Sequence, residues 1–276
     1  MPKRATPKME NDVKDEAAVG LRQFYRVSNG PENARRVLFV IATRKKVVEA
    51  ESLPFFRVGW SRVVYPSDVS VDLVVHFENT SGLSEVYNSE LDRCGRDYDL
   101  VVFVHDDIVP NDCLLVDKLV SASSFYDLIG IAGGKSWSPS VADASREPVI
   151  WTNAAKEGGM SGFVVHSVTR DILRQTNSTG YEGRVLFSTQ YGDAPTPTLT
   201  LDGCLLCMTS TAIDAGLRFD PAFRFHFYDM DVCFSAFRLG LRTGTCGAIC
   251  THMSCGAISD MESFLHTQAE FIRKWF

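Results

Sequence analysis

The sequence contains no apolar run of the roughly 18–20 residues that a bilayer span requires. Its first stretch, Met1 to Asp15, is polar and charged and lacks the apolar segment of a secretory leader. Together these absences predict a cytoplasmic protein with no integral membrane segment. No amphipathic basic helix is evident that would dock on lipid, and there is no internal repeat or low-complexity block. Cationic excess is absent as well. The chain has 28 Lys and Arg against 34 Asp and Glu, a net charge of −6. Nucleic acid is therefore not an expected partner, because such binding rests on Lys and Arg contacts to phosphate. No G-x-G-x-x-G follows the first expected strand, which argues against a dinucleotide-dependent oxidoreductase. The eight cysteines lack the paired spacing of a zinc ribbon. Cys204 and Cys207 sit in the apolar run Leu201 to Met208, where strand residues three apart face opposite ways and do not converge on one ion.

What remains is ordinary globular composition, 45% hydrophobic and 22% charged over 276 residues. Such a chain has ample core for one large α/β domain. Residues 1–35 read as a flexible tail with a short helix at Glu16 to Tyr25, ended by the turn signal Ser28-Asn29-Gly30-Pro31. From Val37 the pattern changes. Val37 to Thr43, Val71 to Phe77, Tyr98 to Val104 and Asp127 to Ala132 are continuous apolar runs of the kind found in strands buried on both faces. Between them, Leu83, Val86, Tyr87, Leu91 and Cys94 form one helical stripe. A second helix is expected to begin at Pro110 and to bury Leu114, Leu115, Leu119 and Val120. This alternation predicts βαβ units and an open, mostly parallel sheet flanked by helices. After Gly133 come shorter pieces, such as Gly162 to His166 and Arg184 to Phe187, that read as hairpins. A strand is expected at Cys246 to Thr251, with helices at Tyr228 to Leu239 and Met261 to Trp275. The expected organisation is a single domain, 36–276, with an α/β half (36–133) and a mixed half (134–276).

Ligands of open α/β sheets bind beyond the carboxyl ends of the strands. The run Val101 to Val104 ends directly in His105, Asp106 and Asp107. Adjacent carboxylates repel, and a divalent cation relieves that repulsion. In an extended chain His105 and Asp107 face one way and Asp106 the other; alternatively, one of the acids caps the next helix. A second group is Phe225-His226-Phe227-Tyr228-Asp229-Met230-Asp231. Asp229 and Asp231 lie about 200° apart around a helix, so they serve different tasks. Asp229 can project from the helix start or complement the macrodipole, whereas Asp231 is placed to fix Arg238 or a nearby loop. His252, at a strand end before a glycine-containing turn, is either a metal ligand or a hydrogen-bonded histidine.

With these residues in view, the chain resembles GT-A fold glycosyltransferases of the family 2 type, and most of all the bacterial branch with a StrF-like domain. The resemblance covers Val37 to Trp275. It rests on Tyr87-Asn88, on Phe103-x-His105-x-Asp107, and on Leu201-Asp202-Gly203. It rests further on Phe219-Asp220, on the Phe-His-x-Tyr-Asp-x-Asp run from Phe225 to Asp231, on His252 with Gly256, and on Lys274-Trp275. General family 2 members carry Asp where this chain has His105; the StrF-like branch shares the His. The resemblance implies a nucleotide diphosphate sugar donor, UDP favoured, an unknown glycan or other hydroxyl acceptor, and Mn²⁺ or Mg²⁺. It implies that Asp107 and His252 hold the metal and that Asp229 is the catalytic base of an inverting transfer. Thr43, Asn88, His105, Asp106, Asp202 and Gly203 would line the donor site in the nucleotide-binding half, 36–133, and beyond it. Trp137, Trp151, Tyr191, His226 and Tyr228 would serve the acceptor half, 134–276. Two competing readings remain: a GT-A protein that binds nucleotide and metal with little or no turnover, and a metal-dependent phosphohydrolase using His105, Asp107 and His252.

Overall fold

The apolar runs do become strands. The computed structural model describes residues 8–9, 21–56, 62–137, 149, 152, 159–169, 184–254 and 260–276. The first half contains β1 (Lys8–Met9), β2 (Leu21–Ser28), β3 (Arg35–Ala42), β4 (Val69–Phe77), α1 (Leu83–Cys94), β5 (Leu100–His105), β6 (Ile108–Pro110), α2 (Leu115–Ala122), β7 (Leu128–Gly130) and β8 (Ala132–Gly134). The second half adds β9 (Met160–Thr169), β10 (Arg184–Gly192), β11 (Thr200–Leu201), β12 (Leu205–Thr209), α3 (Ser210–Asp214), α4 (Tyr228–Arg238), β13 (Thr243–Thr245), β14 (Cys250–His252) and α5 (Met261–Trp275).

The main sheet has eight strands in the order β1-β2-β4-β3-β5-β12-β7-β13. Strands β1, β4, β3, β5, β7 and β13 run one way, and β2 and β12 run against them. The fold is thus α/β with a mostly parallel central sheet. A second sheet, β11-β8-β9-β14-β6, carries β10 paired to β9. The central strands are buried throughout, from Val37 to Ile41 and from Leu100 to Val104. At 25 cal/mol per Å² each such Val, Leu or Ile contributes about 1.5–3 kcal/mol, which makes these strands the backbone of the core. Among the described residues no helix is long and apolar enough to cross a membrane.

Four local expectations are corrected. Residues 21–25, expected in a helix, belong to strand β2. The acids Asp72 and Glu90 are buried on β4 and α1, and an ionised carboxylate there needs a cation. Strand β2 supplies both: Arg22 donates to Glu90 from Nε and Nη2 at 2.7 and 3.1 Å, and Arg26 Nε donates to Asp72 at 3.0 Å. Pro110 ends strand β6 instead of opening α2, whose first residue is Leu115. The run Asp127 to Ala132 divides at Ile131, where the chain leaves the main sheet for the second one. The expected strand Cys246 to Thr251 is interrupted at Gly247, which sits in the left-handed region at φ +70°, and pairing resumes only at Cys250.

Helices α4 and α5 are joined by an aromatic cluster. Phe271 of α5 packs on Phe223, Phe227 and Phe234 with ring centroids 5.2–6.1 Å apart. Asp231 is not paired with Arg238, contrary to expectation. Its Oδ1 accepts Lys274 Nζ at 2.6 Å and Trp275 Nε1 at 2.8 Å, while the Arg238 guanidinium lies over the Trp275 ring.

Candidate metal centre and catalytic cleft

Parallel strands β3 and β5 end side by side, with Ala42 paired to His105. The next residue on each chain makes the first polar contact of the cleft: Thr43 Oγ1 donates to Asp106 Oδ2 at 2.6 Å. Asp106 is therefore turned toward β3, and neither it nor Asp107 caps α2, which has no side-chain cap. His105 and Asp107 are brought together even though the chain turns at Asp106 and Asp107, between β5 and β6, instead of staying extended.

There they meet His252. The second sheet brings it in by pairing β14 with β6, His252 opposite Ile108, and the backbone N–H of Met253 donates to the Asp107 carbonyl at 2.9 Å. His252 Nε2 lies 3.3 Å from Asp107 Oδ1 and 3.0 Å from Ser254 Oγ. One ligand atom each from His105, Asp107 and His252 fall within 4.8 Å of one another, the only such group among the described residues. Donors about 2.1 Å from a common cation stand up to about 4.2 Å apart, so a small inward shift closes this set on one ion. Two imidazoles and a carboxylate suit a divalent cation, Mn²⁺ readily and Mg²⁺ less so.

Hydrogen-bond accounting assigns the His105 tautomer. The Tyr228 hydroxyl donates its one proton to the Gly203 carbonyl at 2.8 Å, because a carbonyl can only accept. The contact at 2.7 Å between His105 Nε2 and the same hydroxyl then requires Nε2 to carry the hydrogen, which leaves the Nδ1 lone pair for a ligand. Burial, and then the charge of His252, holds His105 below its usual pKa and so in the neutral form. His252 behaves oppositely. Burial works to lower its pKa, but the Asp107 carboxylate outweighs it and raises it. The same pairing lowers Asp107 against its own desolvation.

On the facing wall, α4 opens with Phe227 at φ +63°, a left-handed residue that is not glycine. Such a backbone costs of order 1 kcal/mol or more and persists where packing imposes it. Phe227 is held against Phe264 and Phe271 at 5.0 and 5.2 Å. The turn directs Tyr228 and Asp229 toward Gly203. Asp229 Oδ2 accepts the Gly203 N–H at 3.0 Å, and Oδ1 accepts the Met230 N–H at 2.8 Å. Burial, and then the neighbouring charge of Asp202, pushes the Asp229 carboxyl up to about 7 in spite of those two donors. Asp202 follows β11, and its Oδ1 accepts the Cys204 N–H at 2.9 Å. A Cβ on Gly203 would lie 2.3 Å from the Tyr228 oxygen, so only glycine fits there.

The structure thus brings together Thr43, His105, Asp106, Asp107, Asp202, Gly203, Tyr228, Asp229 and His252. Others make their described contacts outside this group. Both ends of the Asn88 amide are engaged with Phe219, donating to its carbonyl at 2.7 Å and accepting its N–H at 3.0 Å. Asn88 is accordingly a clamp between α1 and the loop before α4, with one N–H and one oxygen lone pair beyond those two bonds. Tyr228 is buried and orients His105; it offers no acceptor surface. His226 packs edge-on against Phe225 and Phe264. Trp137 packs on Phe234, Phe271 and Phe276 within the aromatic cluster. Trp151 and Gly256 lie outside the described residues. His166 was not anticipated. It stands beside His252, with ring centroids 6.1 Å apart, and its sequence signal is a histidine ending the apolar piece Gly162 to His166, just as His252 ends its own.

No known family pattern matches the chain, and no curated protein matches it in sequence. Among solved structures, it is similar to the crystal structure of A197 from STIV at 12% identity and a TM-score of 0.38, over 76% of this chain and 81% of that one. It is also similar to GalNAc-T7 with UDP, GalNAc and Mn²⁺ at 9% identity and a TM-score of 0.48, over 86% of this chain and 48% of that one. At such scores neither likeness bears on the chemistry of the cleft.

Proposed function

We propose that this chain is a metal-dependent GT-A glycosyltransferase that moves a sugar from a nucleotide diphosphate donor, UDP favoured, to a hydroxyl acceptor with inversion. The observation that carries the reading is the His105–Asp107–His252 set at the strand ends, with the Asp229 carboxylate on the facing wall raised to about 7. A cation bound there supplies positive charge to the departing diphosphate. Asp229 takes the proton of the attacking acceptor hydroxyl. Its pKa lies close to the operating pH, where a general base is most effective, and each of its oxygens keeps a lone pair beyond the backbone N–H it accepts. Tyr228 engages Nε2 of His105, so Nδ1 would be the nitrogen with which that ring could hold a cation. Thr43 and Asp106, joined at the β3 edge, offer a hydroxyl and a carboxylate to the nucleotide. Asp202 accepts hydroxyls of the donor sugar. The two imidazoles and one carboxylate of the cleft support the divalent cation that the family resemblance implies.

Calorimetry with UDP, GDP, CDP and ADP, each with and without Mn²⁺, tests the donor side. Saturable binding of one base that needs the cation supports the reading, and failure of every nucleotide to bind refutes it. Asp229→Asn separates transfer from binding: it should abolish turnover and leave nucleotide affinity within about twofold. Metal-dependent binding with no turnover in the unaltered protein would assign the site to binding alone. Rapid donor hydrolysis independent of any acceptor would assign it to phosphohydrolysis.

A further inference from the structure

The second sheet continues past the metal set. Its register places His252 of β14 beside His166 of β9, and His166 beside Phe187 of β10. Laterally paired residues project from the same face of a sheet, so all three rings share the face that carries the cluster. The strand spacing of about 4.8 Å sets their separation: centroids are 6.1 Å apart from His252 to His166, and 4.9 Å from His166 to Phe187, where the planes lie within 22°. On the opposite side of His252, His105 stands 6.0 Å away, and Phe225 lies near-parallel to His105 at 6.5 Å and 14°. Five rings therefore form one row, Phe225–His105–His252–His166–Phe187, with the metal ligands in its middle and a phenyl at each end. The two phenyls are open to solvent, 60% for Phe225 and 42% for Phe187.

The ends of the row are not equivalent. Phe225 sits at the His105 end, in the loop before α4. Phe187 lies two strands beyond His252, on β10, which pairs only with β9 among the described strands. An exposed aromatic on a sheet edge is a liability for self-association, and one that continues a catalytic row has a use for its open face. The Nδ1 of His166 lies 3.3 Å from the Ser254 carbonyl. A carbonyl only accepts, so Nδ1 carries the hydrogen, and in the neutral ring Nε2 keeps a lone pair that can accept a hydrogen bond.

We infer that Phe187 and His166 form the acceptor platform and that the acceptor presents a pyranoside ring to it. A pyranose has an apolar C–H face, which the phenyl covers, and a rim of hydroxyls, one of which donates to His166 Nε2. The inference rests on the glycosyltransferase reading and names the acceptor class for that same cleft. A pyranoside seated there approaches the metal-held donor from the β10 side, opposite the nucleotide.

Saturation-transfer NMR of the full chain with a panel of methyl pyranosides tests this, with and without UDP, first in Mg²⁺ and then in Mn²⁺. At least one pyranoside should receive saturation mainly on the C–H protons of one face. Phe187→Ala should lower that signal at least fivefold and leave the calorimetric affinity for UDP within twofold. Paramagnetic Mn²⁺ in place of Mg²⁺ should broaden the same protons. The platform is refuted if no pyranoside is saturated, if Phe187→Ala leaves the signal intact, or if Mn²⁺ broadens nothing. Phe187-dependent saturation without any UDP binding would uphold the platform and overturn the transferase reading. UDP binding without saturation would do the reverse.

Discussion

Replacing Asp229 with Asn should stabilise the protein at pH 8 while removing its turnover. The carboxyl stands at about 7 in the fold against 3.8 in the unfolded chain, a difference of about 3 units or, at 1.36 kcal/mol each, a ceiling of about 4 kcal/mol. A carboxyl whose folded pKa is raised binds its proton more tightly in the native state. Its ionisation therefore costs nothing below pH 3.8, a growing amount from there to about 7, and the full amount above. The substitution removes that cost. It also turns an amide NH₂ toward either the Gly203 or the Met230 N–H, leaving one buried donor unpaired at about 1–3 kcal/mol. The net gain at pH 8 is about 1–3 kcal/mol, or roughly 2–5 °C in Tm for a chain of this size. At pH 4 only the lost hydrogen bond remains and the variant should be the less stable of the two. Urea melts at pH 4, 6 and 8 in EDTA measure the difference. A difference that is the same at all three values would mean that the carboxylate is not raised, and the case for Asp229 as a base at neutral pH would fall with it.

Other perturbations have equally definite outcomes. His252→Ala should cost at least tenfold in Mn²⁺ affinity, read by calorimetry, with little change in far-UV circular dichroism. Tyr228→Phe removes the hydroxyl that orients His105, and loss of such a supporting partner typically lowers metal affinity 10–100-fold; electron paramagnetic resonance of bound Mn²⁺ reports it. Lys274→Met strips the cation from the buried Asp231 and should destabilise the chain by about 3 kcal/mol, the scale for breaking a buried ion pair, measurable in urea. Glu90 is held at about 2 by His76 and Arg22, against the desolvation that would raise it. Its contribution is therefore present above its unfolded value of 4.5 and lost as pH falls toward 2. Glu90→Gln should flatten that limb of the acid denaturation curve.

Features set by local pattern were legible in the chain itself. Helix α1 runs from Leu83 to Cys94 and α5 from Met261 to Trp275, as the 3.6-residue periodicity predicts, and the buried strands follow the continuous apolar runs. The separation of Asp229 from Asp231 follows from helix geometry alone. His105 and Asp107 meet as an extended chain predicts, but the chain turns at Asp106 and Asp107, so strand alternation is not the reason. Misreadings arose where a partner distant in sequence decides the outcome. Strand β2 looks helical in isolation and becomes a strand because Arg22 and Arg26 meet acids on β4 and α1. Asn88 shows the same dependence, since its amide bonds Phe219, 131 residues away, at both ends.

The sequence by itself therefore determined the α/β alternation and the identity of the acids and imidazoles at the strand ends, because spacing along one segment dictates which way side chains point. Only the tertiary structure decided which of them meet. Tyr228 reaches His105 across 123 residues of chain, and His252 joins Asp107 only because β14 pairs with β6. His166 and Phe187 extend the row only because β9 and β10 pair in that register. Such pairings are settled by the burial and hydrogen bonding of whole strands, and no short segment carries that information.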